Sequence, residues 1–563
     1  MKRTISLKAG ALIVAILFSF AIGLDAGTGL TTAEIQNRER LSTTERAAQS
    51  QVKADTIREV TTTLSSAEMQ GRGMAQPGGE KAAKYLADKF AKAGLKPAGG
   101  DGSYQQPISV QVQTLMPGTQ FKVGENTFRF KQDFGVAQPA GTGLKEVSGK
   151  IAFVGYGVVS ADLNRDELKG IEVKDRIVMV LTGTPKGVNP RLWRRDAAQR
   201  VVFGRLIQKG AAGFIVTDDG DPTRFLTAAA VVSNRNVSLS QPISGTTIPA
   251  RWSLELLADQ FTVPTSVLIS DSAAERILAA DDESYAEIKR KAELGQFVSR
   301  NLAVAASISP KVKRETGATS NVIGMIEGSD PKLKDEAVVY TAHYDAFGMD
   351  TEGRIYPGAS DNALGVGKLV ALAEAFGRLS PKPRRSIIFM ATTGEEYGDL
   401  GAEYWLQHPT WPVEKIAADI NFDGGALEVW GKLAFLLNIG FELSDLSKVV
   451  TDVAAASDLE IIPDPVPDEG FFYRSDHYAF IKKGIPAIFL IGGPAMNPNV
   501  LLARATQWEQ TRYHTPLDLV QADWNWDGAQ MLASFALLTG IRIADKETLP
   551  RWNPGSSYKR PGS

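Results

Sequence analysis

The sequence contains no cysteine and only four histidines among its 563 residues. The absence of cysteine excludes disulfides, thiolate metal ligands, a cysteine nucleophile and a lipoprotein anchor. Neither sign of charge is in excess, since 62 Lys and Arg stand against 64 Asp and Glu, a net charge of −2. Electrostatics therefore give no reason to expect nucleic acid as a partner. The chain also lacks the Gly-x-Ser-x-Gly, His-Glu-x-x-His and phosphate-loop patterns. Any histidine chemistry must come from His343, His408, His477 and His514.

Long hydrophobic runs are scarce, and the one candidate lies at the N-terminus. Three basic residues within the first eight positions precede an apolar run over residues 9–24, which Asp25 ends. This run is shorter than the ~20 residues that a spanning helix needs, and the small residues around Gly23 suit a signal-peptide cleavage site. We therefore expect a signal peptide over residues 1–26 and export to the periplasm or the medium, with an uncleaved N-terminal anchor as the alternative.

Hydrophobic residues make up 43% and charged residues 22% of the chain, which is near the globular average. Residues 108–299 show short β-like runs between turns and contain no histidine, so they predict a β-rich module without chemistry of its own. From residue 300 onward strands and helices alternate, which favours an α/β fold with a mostly parallel sheet flanked by helices. The predicted segments are part of the main domain over 27–107, the insert over 108–299, the main domain over 300–550 and a flexible tail over 551–563.

Polar residues follow several of the predicted strands, at the edge where ligands bind in sheets of this kind. Two histidines with several carboxylates form a nitrogen and oxygen donor set suited to zinc, with cobalt or manganese as alternatives. Two metals that share one carboxylate need five ligands and leave one carboxylate as a base. Each residue alone has an ordinary explanation, such as a helix N-cap for an Asp, but their joint occurrence favours a metal site. The candidates are His343, Asp345, Asp361, Glu395, Glu396, Asp423 and His514.

These motifs resemble those of the M28 family of zinc exopeptidases. Their order and spacing match along residues 301–543 and again at 65–105. The insert resembles a protease-associated (PA) domain, chiefly through residues 170–178 and 209–216. The motifs that carry the first resemblance are Ala342-His343-Tyr344-Asp345, Gly358-Ala359-Ser360-Asp361-Asn362-Ala363-Leu364-Gly365, Gly394-Glu395-Glu396, Asn421-Phe422-Asp423 and Tyr513-His514-Thr515-Pro516.

The resemblance implies two zinc ions per chain and a ligand for each position. Asp361 would bridge the two ions. His343 and Asp423 would complete one site, and Glu396 and His514 would complete the other.

The resemblance also implies roles for residues that do not bind metal. Glu395 would be the general base that takes a proton from the attacking water. Asp345 would hydrogen-bond the far ring nitrogen of the first histidine ligand. Tyr473 lies where some members have a tyrosine that stabilises the oxyanion, although its register is not fixed by the sequence. Ser360 is a departure, because the family often has an acidic residue there.

The resemblance implies an exopeptidase that acts on peptides, most often an aminopeptidase. A carboxypeptidase with the same metal centre is the first alternative. A glutaminyl-cyclase-like transferase on the same fold works with one metal, and the complete five-ligand set argues against it. A receptor or binding protein that had lost catalysis would lack ligands, and none is missing here. The sequence does not predict side-chain specificity or oligomeric state.

Overall fold

The computed structural model describes residues 41–137, 144–197, 199–217, 235–240, 264–465 and 470–561. The predicted signal peptide lies outside these ranges. Among the described residues, no helix has both the length and the apolar character needed to cross a membrane. The helices are α1 (Thr43–Gln49), α2 (Ala54–Leu64), α3 (Pro77–Lys92), α4 (Pro190–Ala197), α5 (Gln199–Gln208), α6 (Asp271–Ala279), α7 (Tyr285–Glu293), α8 (Leu364–Arg378), α9 (Leu400–Gln407), α10 (Leu446–Ala456), α11 (His477–Lys482), α12 (Pro498–Thr511) and α13 (Asp527–Ala544).

Most strands belong to two large sheets, and the remainder form short hairpins or a small three-stranded sheet. The strands are β1 (Lys96–Pro97), β2 (Gln105–Leu115), β3 (Gln120–Val123), β4 (Asn126–Phe128), β5 (Phe134–Ala137), β6 (Val147–Phe153), β7 (Val159–Ser160), β8 (Arg165–Asp166), β9 (Ile177–Val180), β10 (Gly213–Thr217), β11 (Arg235–Leu239), β12 (Ser266–Ile269), β13 (Arg300–Ser309), β14 (Val312–Ile326), β15 (Ala337–His343), β16 (Gly348–Met349), β17 (Ile355–Tyr356), β18 (Ser386–Thr392), β19 (Ile416–Asn421), β20 (Leu433–Asn438), β21 (Glu460–Pro463), β22 (Ala487–Phe489) and β23 (Gly492–Pro494).

The first sheet has the order β11-β2-β14-β18-β15-β19-β22, with β1 paired to β14. The half from β18 to β22 is parallel, whereas β11, β2, β14 and β18 pair antiparallel. The α/β architecture is confirmed, but the sheet is mixed rather than mostly parallel. The reason lies in the connection between β2 and β14, which leaves and re-enters the sheet at one end, as antiparallel neighbours require.

Helices cover both faces of this sheet, which explains why its central strands are continuously apolar. All residues of β15 and β18 are buried. On one face Val338 and Tyr340 belong to a core that includes residues of α2, α3, α8, α10 and α13. On the other face Val339 and Met390 pack in a core with Trp405 of α9 and residues of α11.

The second sheet has the order β4-β3-β13-β6-β9-β10-β12-β5 and lies in the inserted part of the chain. Strands β6, β9, β10 and β12 pair parallel, and α6 and α7 contribute to its core. The insert is thus itself an α/β unit rather than only β-rich.

The boundaries of the insert also differ from the prediction. Strand β2, which begins before residue 108 and ends at Leu115, lies in the first sheet, and β13 (300–309) lies in the second. The chain changes sheets between residues 116 and 119 and again at 310–311. Strand β11 is a further exception, because it follows strands of the insert in sequence but pairs with β2.

The sequence predicted a flexible tail over residues 551–563, but the part of it that the structure describes, residues 551–561, is packed against the main domain. Trp552 donates its indole N–H to the backbone oxygen of Gly484 at 2.8 Å. The guanidinium of Arg560 donates to the backbone oxygen of Ala417 at 3.2 Å. These two large side chains hold a segment whose Pro and Gly content suggested a loop without contacts.

Candidate metal centre

Three neighbouring parallel strands bring His343, Glu395 and Asp423 to one edge of the first sheet. Strand β15 pairs with β18 on one side and with β19 on the other, both parallel. Their carboxyl ends therefore meet at the same edge. His343 is the last residue of β15, Glu395 lies in a helical turn three residues after β18, and Asp423 lies two residues after β19.

The donor atoms form two clusters that share one carboxylate. In the first cluster, the Nε2 atom of His343 lies 3.2 Å from Oδ1 of Asp361 and 3.0 Å from Oδ1 of Asp423. In the second cluster, the Nε2 atom of His514 lies 3.1 Å from Oδ2 of Asp361 and 3.2 Å from Oε2 of Glu396. Within each cluster the potential ligand atoms lie within 4.8 Å of one another. The structure thus brings all five predicted ligands together, and Asp361 faces both histidines.

The electrostatics of the clusters fit a bound cation. Burial raises the pKa of Glu396 well above its usual range, and the nearby Asp361 and Glu395 carboxylates raise it further. Burial lowers the pKa of the His343 imidazole, but the Asp423 and Glu395 carboxylates outweigh this and bring that pKa well above its ordinary value. Buried carboxylates that repel one another in this way are stabilised by a divalent cation. Imidazole and carboxylate donors are also the set that zinc prefers, so these residues fit the group that the sequence implied.

Glu395 faces a different part of the centre from its neighbour Glu396. Its Oε2 atom lies 3.8 Å from Nε2 of His343, and its side chain is 18% exposed against 3% for Glu396. Burial raises the pKa of Glu395 well above its usual range, and the Asp423 carboxylate adds to this. A carboxyl group beside the first cluster, partly exposed and with a raised pKa, has the properties of a general base.

Asp345 lies behind the imidazole of His343. Its backbone oxygen is 3.3 Å from Nδ1 and its Oδ1 atom is 3.6 Å from the same nitrogen. Because a carbonyl oxygen only accepts, Nδ1 carries a proton in this contact, and a neutral imidazole would then direct the lone pair of Nε2 to a cation bound in the first cluster. The Oδ1 atom of Asp345 also accepts the backbone N–H of Glu395 at 3.4 Å. One residue therefore orients both a ligand and the candidate base.

The structure places Tyr473 in an aromatic group, with ring centroids 5.0 Å from Phe472 and 5.2 Å from Tyr478. Its role at the centre stays a prediction. A second tyrosine beside the centre is Tyr513, to which the sequence motif alone gave no role, and its ring stacks on His514 with centroids 3.7 Å apart. Burial raises the pKa of the Tyr513 hydroxyl well above its usual range, and the nearby carboxylate of Asp361 raises it further. Its place directly before a ligand in the sequence was the signal that could have found it.

Asp399 is a second group that sequence reasoning missed. It adopts a left-handed conformation with φ 53°, and its backbone N–H donates to the backbone oxygen of Glu395 at 3.1 Å. Burial raises the pKa of its half-buried carboxyl to about 7, against the lowering effect of Lys482, and the Asp423 carboxylate also raises it. Asp399 therefore adds acidic character to the side of the centre formed by the first cluster.

Comparison with known proteins agrees with this geometry. Residues 321–539 match the model of peptidase family M28. These residues form a peptidase family M28 domain. Every donor of both clusters lies within the M28 domain, whereas the inserted sheet lies outside it.

Curated relatives match only part of the chain. The chain is 29% identical over 204 residues to a probable leucine aminopeptidase 2 of Aspergillus oryzae, which covers 34% of this chain and 38% of that protein. It is 35% identical over 107 residues to a probable glutamate carboxypeptidase of Arthroderma benhamiae, which covers 18% of this chain and 13% of that protein. The matches thus span well under half the length of either relative.

A solved structure shares the fold over nearly the whole chain. The aminopeptidase from Aneurinibacillus sp. strain AM-1 aligns with a TM-score of 0.54 and 16% identity, over 92% of this chain and 100% of that chain. The shared fold thus extends well beyond residues 321–539.

Proposed function

We propose that the protein is a zinc-dependent exopeptidase that holds two zinc ions and acts as an aminopeptidase. The observation that carries the proposal is the pair of clusters that share Asp361, with Glu395 beside the first cluster. His343 and Asp423 would hold one ion together with Asp361. Glu396 and His514 would hold the other ion together with Asp361.

The chain's own residues supply the remaining steps of peptide hydrolysis. When bound, two divalent cations would contribute Lewis acidity and favour the ionisation of water near neutral pH. Glu395 takes a proton from the attacking water and passes it to the nitrogen of the leaving amine, so that the C–N bond breaks as a neutral amine departs. The Tyr513 ring stacks on His514, and its hydroxyl would donate a hydrogen bond to the oxygen that becomes negative. Asp345 keeps the Nε2 lone pair of His343 directed at the first cluster.

The charge around the centre favours a substrate with a free amino group. Glu395 and Asp399 add carboxylates beyond those needed as ligands, and Asp399 lies on the side of Asp423 and His343. A peptide ammonium group would find an acidic environment there. This supports an aminopeptidase, as does the name of the Aspergillus oryzae relative.

A carboxypeptidase remains the second candidate, because the cationic side chain of Arg474 lies beside Tyr513, next to the second cluster. The guanidinium of Arg474 donates to the Tyr513 hydroxyl at 3.4 Å and is exposed. It could contact a substrate carboxylate. The Arthroderma benhamiae relative is named a probable carboxypeptidase, in line with this alternative.

A pair of blocked peptides separates the two candidates. The purified protein is first analysed for zinc and then given one peptide with a free N-terminus and an amidated C-terminus. The second peptide has an acetylated N-terminus and a free C-terminus. We expect two zinc ions per chain and cleavage of the first peptide only. Cleavage of the second alone would establish the carboxypeptidase, and zinc-loaded protein without activity on either would contradict an exopeptidase.

The proposal includes export, which rests on the N-terminal sequence alone. N-terminal sequencing of protein recovered from outside the cytoplasm should begin between residues 24 and 27. An intact Met1 on membrane-bound protein would support the anchor instead.

A further inference from the structure

Asp518 connects two segments that supply ligands to the second cluster. It lies four residues after His514 and is 2% exposed. Both carboxylate oxygens lie 3.1 Å from the backbone nitrogen of Ser360, and Oδ1 accepts the Ser360 hydroxyl at 2.6 Å. The Oδ2 atom also accepts the backbone N–H of Asp361 at 3.1 Å. Its backbone oxygen accepts the N–H of Ala359 at 3.0 Å. One side chain thus fixes the turn that presents Asp361, and it does so from the loop that presents His514.

Arg72 binds the same turn through its backbone carbonyl groups. Its guanidinium is fully buried and donates to the backbone oxygens of Pro357 at 2.5 Å and of Gly358 at 2.8 Å. It also donates to the backbone oxygen of Tyr344 at 2.6 Å, one residue after the ligand His343. The Arg72 guanidinium therefore binds backbone oxygens that precede Asp361. The Asp518 carboxylate binds the backbone N–H groups of Ser360 and Asp361.

We propose that Asp518 and Arg72 are positioning residues that fix the bridging carboxylate of Asp361 and thereby set the affinity of both clusters for cations. The proposal rests on the two-metal centre proposed above. Because Asp361 directs one oxygen to each histidine, any displacement of its turn moves a donor away from both clusters at once.

Burial and charge indicate that these two groups serve placement rather than stability alone. Burial raises the pKa of Asp518 to about 6, against the hydrogen bonds from Ser360 and Asp361, and the neighbouring Asp361 carboxylate raises it further. Burial lowers the pKa of Arg72 to about 10, against the carboxylates of Asp345 and Asp518. A buried carboxylate beside other carboxylates is energetically unfavourable. If the site needed only an acceptor for two N–H groups, a neutral side chain would serve at a lower cost. Ionic partners give shorter and more strongly oriented hydrogen bonds than neutral ones.

Zinc affinity, measured by competition with a chelator, tests the proposal. Asp518→Asn keeps the size of the side chain but turns an NH₂ group toward N–H donors. We expect it to weaken zinc binding roughly 10–100-fold, the usual effect of losing an outer partner of a metal ligand. Asp350→Asn is the matched control. Asp350 is 4% exposed and accepts the backbone N–H groups of Glu352 and Arg354, both at 2.9 Å, in a hairpin that supplies no ligand. The zinc affinity of the Asp350→Asn variant should stay within about twofold of wild type.

Two further variants keep the proposal testable if Asp518→Asn fails to fold. Ser360→Ala removes only the 2.6 Å hydrogen bond and should weaken zinc binding in the same direction by a smaller factor. The double variant should bind zinc only a little more weakly than Asp518→Asn alone, because both changes remove the same interaction. Arg72→Lys keeps the charge but loses the planar fork, and should also weaken zinc binding.

The outcomes distinguish this inference from the proposed function. If wild type binds no zinc, the metal centre itself is wrong. If wild type binds zinc and the folded variants of Asp518, Ser360 and Arg72 bind it equally well, the metal centre stands and the positioning role is overturned. An equal loss in Asp350→Asn would also overturn it, because the effect would then follow from disturbing any buried aspartate turn.

Discussion

At the scale of single residues, Glu395 and Glu396 adjoin in sequence but face different histidines. Glu395→Gln removes the proton acceptor and leaves all five ligands in place. We expect turnover to fall roughly 10²–10⁴-fold, the usual contribution of a general base, with zinc content unchanged. Glu396→Gln should instead lose zinc, and excess zinc should partly restore its activity. Metal analysis and turnover of both variants are the measurements. Zinc loss in Glu395→Gln with retention in Glu396→Gln would reverse the two roles.

The five proposed ligands were assigned from sequence through the family resemblance. Three of them, His343, Glu396 and Asp423, lie at or shortly after the ends of apolar strands, so their placement follows from the order of the strands in the sheet. The contacts of Asp518 and Tyr513 could not be predicted, since they depend on how the loop after α12 folds against the turn before α8. No local pattern records that approach. The same limit applies to Asp399, whose left-handed backbone is set by its tertiary surroundings.

His477 predicts a pH dependence of stability. Burial lowers its pKa from 6.5 to about 4, against a hydrogen bond to the backbone oxygen of Phe472. Between these values the unfolded chain binds a proton that the folded protein does not, so stability falls as pH falls from 6.5 to 4. The full decrease is about 3 kcal/mol, and above pH 6.5 the group has no effect.

Denaturant unfolding of metal-free protein at pH 7, 5.5 and 4.5 measures this effect. His477→Gln can still donate to Phe472 but cannot titrate. We expect wild type to lose more stability than the variant as the pH falls. If the free energy of unfolding falls equally with pH in both proteins, another group causes the loss of stability in acid.

At the scale of elements, helix α8 carries a lysine into the core. Lys368 is 1% exposed, and its Nζ atom lies 2.5 Å from Oε1 of the buried Glu428 and 5.1 Å from the ring centre of Phe422. Lys368→Met leaves the glutamate unpaired and should lower the free energy of unfolding by about 3–5 kcal/mol. The double change with Glu428→Leu should recover most of that loss, since an apolar pair needs no desolvation of charge.

An exposed pair on α10 is the control for this prediction. Lys448 and Asp452 lie 2.8 Å apart, with the lysine side chain 76% exposed. Lys448→Met should change stability by less than about 1 kcal/mol. Equal losses at the two lysines would contradict the argument from burial.

The elements themselves were predictable to different degrees. Strands β15, β18 and β19 read as continuous apolar runs because both faces are covered, and their parallel order follows from the helices between them. The antiparallel half did not follow from sequence, since the partners β2 and β14 are separated by about 200 residues. Strand β11 was not predicted either. Its five residues pair with β2, which is distant in the chain, and their sequence alone does not indicate that pairing.

At the scale of the whole molecule, the inserted unit should be separable from the metal centre. Leu115 of β2 lies opposite Val312 of β14, and the N–H of Met116 donates to the backbone oxygen of Lys311 at 2.8 Å. A two-residue Asn-Gly turn in place of residues 117–310 would close these strands as a hairpin, and the change would also remove β11, the edge strand that pairs with β2. We expect the shortened protein to bind zinc with wild-type stoichiometry, because every proposed ligand lies beyond residue 340.

Peptide turnover should nevertheless change in the shortened protein. Lys131 of the insert contacts the β16–β17 hairpin through Thr351 at 3.1 Å, and Phe347 beside that hairpin packs on His514 with ring centroids 4.7 Å apart. Loss of the insert therefore frees one rim of the centre. A folded deletion variant that binds no zinc would show that the two units depend on each other.

The pairing of β2 with β14 has a consequence for how the chain acquires its structure. Helix α1 contacts an element that lies still later in the chain, since Glu45 binds Arg542 of α13 at 2.7 Å. The inserted sheet, in contrast, draws all its strands from residues 120–309. Contacts between distant parts of a chain form late, because the entropy of closing the intervening loop must be overcome first. During synthesis the inserted unit can thus complete its sheet before α13, the partner of α1, has been made.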